Sequence, residues 1–343
     1  MTEPRWRRRP EGSTWGDYGP EDQLGRVNGL DAAKVLQGVA EVRVGRTFCL
    51  SLPLDLPGGN VLNQRRHPPR LSPTVRANGR PVTNFRVCEE VDGATDVICD
   101  DRVMLYLQYS TQWDSLAHVG GLFDADGDGT PKPVYYNGFR GGLDVTGPSE
   151  AAEVEAPSRA RRLGIERLAE HGMQGRGVMV DLRAHHGDAR TLVGYDALMR
   201  ILEADGVAVE PGDMVCLHTG FADRLLAWGG DPDRDAVHRI CAVLDGRDAR
   251  LLAWITDTGL SALIADNYAV EAYPARPGGA CCAILPLHEH CLFKLGLPLG
   301  ELWHLTPLAS WLRANGRHRF LLTAPPLRLP GAVGSPATPI ATV

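Results

Sequence analysis

Apolar residues run unbroken from Val103 to Leu107, and past them polar side chains recur at even spacing: Gln108, Ser110, Gln112, Asp114 and His118. Such a run predicts a buried strand. Period-two alternation then places Gln108, Gln112 and Asp114 on one face, with His118 just past the strand end. Thr47–Leu52, Val178–Leu182, Met214–His218 and Leu251–Thr256 also read as strands, the first ended by Pro53. Asp31–Val39 reads as a short helix with Asp31 as N-cap and Ala32, Ala33, Val35 and Leu36 on its apolar side. Glu150–Glu155, Arg159–His171, Tyr195–Asp205 and Arg234–Leu244 are helical in composition. Residues 12–30 read as an irregular lead-in. Residues 57–85 form a long aperiodic stretch of the kind that covers a site or reaches a neighbour. Strands separated by helices predict a mixed α/β fold in a single domain over 1–343. A basic N-terminal arm (1–12) precedes it, and an extended C-terminal tail (325–343) packs against it.

Composition narrows the function classes. Across 343 residues the net charge is −6, which gives no electrostatic reason to expect nucleic acid. No apolar run approaches the roughly 20 residues of a membrane helix. The basic start, Arg5-Trp6-Arg7-Arg8-Arg9, lacks the apolar segment of a secretory signal and reads as a solvated arm. Eight cysteines without such a signal point to reduced thiols in a cytoplasmic protein, and the absence of a C-x-x-C pair argues against a zinc knuckle. Neither a dinucleotide fingerprint, a P-loop nor a G-x-S-x-G elbow occurs.

Candidate chemistry gathers in a few places. A carboxylate, an imidazole and two amides fall within Gln108–His118. His185 and His186 follow the strand Val178–Leu182 and read either as substrate contacts or as a polar loop. Leu287-His288-Glu289-His290 precedes Glu301. Asp124-Ala-Asp126-Gly-Asp128-Gly129 imitates half a calcium loop, but its twelfth position is Tyr135, so it reads as a solvated turn. Trp113, Phe123, Tyr135, Tyr136 and Phe139 read as core, or as a pocket for a flat substrate.

The Gln108–His118 stretch resembles the H-x-G-T-H-x-D-x-P-x-H motif of the metal-dependent cyclase family, which includes bacterial kynurenine formamidase and isatin hydrolase. Gln108 and Gln112 stand at the first two histidines, Asp114 at the aspartate and His118 at the last histidine; Thr111 also matches. Gln108, Gln112, Ser110 and Leu116 depart from the pattern. Thr111-Gln112-Trp113-Asp114 followed by Tyr136-Asn137-Gly138 is similar to one branch of that family. Gly212–Gly220, Asp257–Glu271, the His290/Gly296/Glu301 spacing and the Pro-rich tail also resemble family segments, with Asp266 and Glu271 read as structural. The resemblance implies a swivelling β/β/α domain, a homodimer or homotetramer, and a divalent metal, manganese or zinc. It implies a shell drawn from Asp114, His118, His290 and Glu301, with amide oxygens of Gln108 and Gln112. Oxygen donors of that kind favour manganese, magnesium or calcium over zinc.

Three functions follow as expectations. The first is a hydrolase of a small amide, imide, ester or lactone that uses a metal-activated water, with His118 as acid or base and Trp113, Ser110, His185, His186 and Tyr136 around the substrate. The second is a metal-free cyclase, dehydratase or isomerase run by the Asp114–His118 pair. The third is a non-catalytic binder of a small carbonyl compound.

Overall fold

A computed structural model describes residues 4–149, 153 and 156–343. The helix expected over Glu150–Glu155 falls outside the described residues, apart from position 153. Nine strands form the main sheet: β1 (Thr47–Cys49), β2 (Gln112–Asp114), β3 (Gln174–Asp181), β4 (Met214–His218), β5 (Ala262–Ala265), β6 (Leu299–Glu301), β7 (Arg319–Thr323), β8 (Gly334–Pro336) and β9 (Ile340–Thr342). Their order is β1-β9-β7-β3-β4-β5-β6-β2-β8. The run β3-β4-β5-β6 is parallel and the flanks are antiparallel. The tail therefore does more than lie extended, because it supplies β8 and β9. One apolar cluster lies around Val178, Val215 and Leu263, and a second around Met179, Met214 and Ile264, so alternate residues of the central strands feed opposite faces.

Several elements differ from expectation for identifiable reasons. Leu251–Thr256 lies inside a helix, Ala249–Thr258, because the Asp248 carboxylate accepts from the amides of Arg250 and Leu251 and caps its start. Leu251 and Ile255, one turn apart, are its buried face. Conversely, the helix expected over Arg234–Leu244 does not form: the segment is a series of turns leading into a short strand, Ala242–Leu244. Asp31 does cap Ala32–Ala40 through the Lys34 amide, but the buried face is Lys34 and Gly38, while Leu36 is exposed. The Lys34 ammonium is matched by Asp213 at 3.0 Å, and a Cβ at Gly38 would strike the Gly175 carbonyl. The basic arm is docked rather than solvated: Trp6 meets Trp15 edge-on at 5.7 Å, and the Arg7 and Arg8 amides bond to the Ala125 carbonyl. Lys132 bridges Asp126 and Asp128 at 2.7 and 2.9 Å, Arg140 meets Asp126 at 2.6 Å and Arg8 meets Asp124 at 3.2 Å, so the acidic turn is balanced by three basic side chains.

The expected buried strand Val103–Leu107 is also absent. Asp101–Met104 pairs with Arg70–Pro73 in an exposed ribbon, with Val103 and Met104 each 52 % exposed. An apolar run signals a strand but cannot say what covers it.

Candidate active site

The site is built on β2, held between β6 and β8. Gln112 and Asp114 point to one face; Trp113 points to the other, into the core, where its Nε1 donates to the Ala324 carbonyl at 2.7 Å and its ring meets Trp303 edge-on. The Thr111 hydroxyl, which donates to the Leu302 carbonyl at 2.6 Å and accepts from the Leu52 amide, fixes where β2 begins. Register sets Glu301 directly across from Gln112, and the Gln112 amide donates to Glu301 Oε2 at 3.3 Å.

His288 joins them from the helical turn Pro286–His288. Its Nε2 lies 3.2 Å from Glu301 Oε1 and 4.0 Å from Asp114 Oδ2. Its Nδ1 lies 2.9 Å from Glu271, whose carboxylate also accepts the Leu287 and His288 amides. Glu271 follows Ala269 and Val270, both at positive φ (71° and 58°), a strained turn for a β-branched residue. His118 sits just past β2, with Nε2 3.8 Å from Asp114 Oδ1.

Charge is concentrated and dry. Asp114, Glu271 and Glu301 are at most 3 % exposed. Burial, then the neighbouring Glu301, pushes the Asp114 carboxyl up; His118 and His288 offset this only in part. Burial is the largest single influence on Glu301 and opposes its charge, but the His288 hydrogen bond, the His288 charge and Arg66 together outweigh it and hold that carboxyl below its usual range. Burial works against the His288 cation too, yet bonds to Glu271 and Glu301 raise it to about 10. His118 is lowered by burial, with Asp114 pulling the other way, and so is a neutral imidazole near pH 7.

These groups open into a cavity of about 700 Å³. Val61–Arg66 form one wall; Tyr268, Ala269, Tyr273, Ile284 and Leu285 form another; His118, His288 and Glu301 line the floor. Arg66 reaches across the rim to the Gln108 carbonyl at 2.6 Å.

Not every expected residue arrives here. Gln108 lies in a turn before β2 and lines a small adjoining cavity instead, its amide against Gly334, where no side chain fits. His290 requires a correction: its Nε2 bonds to the Thr256 hydroxyl at 2.9 Å, on the far side of its helix. Residues two apart on a helix diverge by roughly 200°, so His288 and His290 cannot share a target. Nothing in the spacing singled out His288, nor Glu271 as its partner. Tyr136 is a core residue bonded to Asp22, and Ser110 bonds to the Pro53 carbonyl. His185 pairs with Asp205, and neither it nor His186 lines this cavity. The aromatic lining is Tyr268 and Tyr273, whereas Trp113, Tyr136 and Phe139 are buried in the core. Asp266 is structural, accepting from Thr219 and Gly220 across the ends of β4 and β5.

One carboxyl oxygen each from Asp114 and Glu301 and one His288 nitrogen all lie within 4.8 Å of one another. Among the described residues, both Asp114 oxygens and Gln112 Oε1 are buried without a hydrogen-bond partner. An oxygen-rich, anionic pocket with orphaned acceptors fits a divalent cation.

The family model described as "Putative cyclase" matches residues 50–272. The chain belongs to the cyclase family. Among solved structures, one reported as a novel cyclase is 28 % identical, with TM-score 0.75, covering 96 % of this chain and 97 % of its own. Isatin hydrolase A from Labrenzia aggregata, solved with benzyl benzoate, is 13 % identical with TM-score 0.53, covering 86 % of this chain and 93 % of its own. Isatin hydrolase A from Ralstonia solanacearum is 14 % identical with TM-score 0.53, covering 86 % and 91 %. The likeness to the two isatin hydrolases is one of fold. No curated protein matches. Among the described residues, no helix of this cyclase-family chain is long and apolar enough to cross a membrane.

Proposed function

We propose that this cyclase-family protein is a hydrolase that opens a small cyclic amide, imide, ester or lactone, with a divalent cation held by Asp114, His288 and Glu301 and the Gln112 amide oxygen. The observation that carries this reading is the Asp114 carboxylate: fully buried, without a hydrogen-bond donor, and beside two imidazoles. A bound cation supplies Lewis acidity and an acidified water. The protein supplies the rest. Glu271 fixes the His288 ring by accepting from Nδ1, which turns Nε2 toward the cluster. His118, neutral and at the cavity floor, takes a proton from the attacking water and returns it to the leaving nitrogen or oxygen. Arg66 adds fixed positive charge at the rim, and Tyr268 and Tyr273 give a flat substrate a face to lie on. Oxygen donors favour manganese or magnesium; zinc is the softer alternative. The same reading carries the family's kynurenine formamidase- and isatin hydrolase-like chemistry and its swivelling β/β/α architecture.

Elemental analysis of protein purified without chelator, followed by a panel of cyclic amides and lactones with and without EDTA, tests this. About one ion per chain and EDTA-sensitive ring opening are expected. A second reading rests on Glu301, whose two oxygens are already engaged by His288 and Gln112 without a cation. In that case the Asp114–His118 pair moves the proton alone. Ring chemistry that survives EDTA in metal-free protein selects it and refutes the first.

A further inference from the structure

The wall Val61–Arg66 holds one side chain in a fixed attitude. The Arg66 amide bonds to the Asn63 carbonyl and the Arg65 amide to Asn63 Oδ1, both at 3.0 Å, which closes a tight turn. Asn63 Nδ2 then donates to the Tyr268 hydroxyl at 3.1 Å and fastens that turn to the opposite wall. The Arg66 side chain is partly buried, and one Nη donates to the Gln108 carbonyl at 2.6 Å. That bond orients the planar guanidinium and uses only one of its donors. Among the described residues, the other N–H groups of the fork have no protein partner.

Charge at this rim is unmatched. Arg76, Arg183 and Arg276 each meet a carboxylate. Among the described residues no carboxylate oxygen lies within 4.0 Å of an Arg65 or Arg66 nitrogen. Both arginines line the 700 Å³ cavity, and its acidic lining residue, Glu301, is already engaged by His288 and Gln112. Tyr268 shares with Arg66 both this cavity and the small one beside it. Its oxygen accepts from Asn63, so its O–H is left to donate. Burial raises the Tyr268 phenol above its usual range, so that proton stays on near pH 7. An oriented guanidinium with a phenol O–H suits a carboxylate, which accepts two parallel bonds from the fork and a third from the phenol.

We propose that the substrate is an anion: a cyclic amide, imide, ester or lactone that carries a carboxylate outside the bond to be cleaved. Arg66 with Tyr268 holds that carboxylate, while the reacting carbonyl lies at the His118 end of the cavity. Arg66 is then the residue that sets specificity, because a neutral ring leaves its fork unmatched. The word substrate rests on the hydrolase reading; the preference of the cavity for an anion does not. Arg66 also favours ionised Asp114 and Glu301. A counter-charge to the floor and nothing more would treat charged and neutral rings alike.

Calorimetric titration of the full chain as purified, with pyroglutamate and isoindolinone carboxylate each set against its neutral carboxamide, tests this without turnover. The carboxylate should bind about 10–100-fold more tightly than the carboxamide. Arg66→Met should bring the ratio to about one, and Arg66→Lys should restore part of it, since lysine keeps the charge and loses the fork. Should Arg66→Met misfold, wild-type protein decides: the ratio must fall as salt rises from about 0.02 to 0.5 M. Equal binding of charged and neutral rings, binding of neither, a ratio that survives Arg66→Met, or one indifferent to salt overturns the inference. Ring opening of phthalimide carboxylate and its carboxamide separates the two claims. Turnover without a carboxylate preference sinks the anion site and leaves the hydrolase. An intact binding ratio without turnover of any ring upholds the anion site and sinks the hydrolase.

Discussion

Replacing Asp114 with Asn should stabilise the metal-free protein while abolishing cation binding. A buried polar group without a partner costs about 1–3 kcal/mol, and both Asp114 oxygens are in that position. The amide keeps the shape and loses the charge. For 343 residues the unfolding entropy is about 0.7 kcal/mol/K, so each kcal/mol moves Tm by about 1.4 °C. In EDTA at pH 8 the variant should therefore melt about 1–4 °C above wild type. The sign with pH follows from the raised carboxyl. Its folded-state pKa lies above 3.8, so the folded form holds its proton longer than the unfolded chain. Wild-type stability falls as pH rises from 3.8 through that raised value, whereas Asn does not titrate. The advantage of Asn should be absent near pH 4 and widen above it. Adding cation at about 100 times Kd should raise wild type by about 4 °C, from 2.7 kcal/mol of linkage, and leave the variant where it was. Differential scanning fluorimetry reads all of this. A variant that melts below wild type in EDTA at pH 8 would mean that Asp114 has a stabilising partner the geometry lacks.

Three further outcomes follow from the same geometry. His118→Asn should cut turnover by about 10²–10⁴ with Tm within about 2 °C of wild type, read on whichever panel substrate is active. His288→Ala should abolish cation uptake, whereas His290→Ala, facing Thr256, should leave stoichiometry unchanged; elemental analysis separates them. Gln112→His should tighten binding and shift preference toward zinc, measured by competition with a chelator.

Much of this arrangement was legible in local pattern, and its gaps have physical causes. Period-two spacing is enough to put Gln112 and Asp114 on one face of β2, because strand geometry alone decides it. Gln108 escapes that rule because the chain turns before β2 begins. Leu251–Thr256 reads as a strand on hydrophobicity, and only the Asp248 cap with the four-residue step from Leu251 to Ile255 marks a helix. His288 and His290 are indistinguishable by composition. The choice between them is made by the phase of a helix whose continuation, Glu289–Leu295, is π-helical. Glu271 is the least legible, since its role depends on two left-handed residues that sequence pattern does not foretell.

The charge balance leads to one last expectation. Three buried carboxylates face one imidazolium, His288, and one neutral imidazole, His118. Glu271 is satisfied by the amides of Leu287 and His288 and by the His288 ring; Glu301 is satisfied by His288 and Gln112. The unmet charge falls on Asp114, which takes a proton or a cation. A cation can use His288 Nε2 only after the ring gives up a proton, and without a cation that ring holds it up to about pH 10. Loading at pH 7 should therefore expel at least one proton per ion, that of His288 together with any held by Asp114, and affinity should rise at least about tenfold per pH unit between 7 and 9. Calorimetric titration in two buffers of different ionisation enthalpy counts the protons. Zero protons and a flat affinity would mean that His288 is not a ligand. The cation would then have to be held by Asp114, Glu301 and the Gln112 oxygen, with His288 remaining an imidazolium clamp between two glutamates.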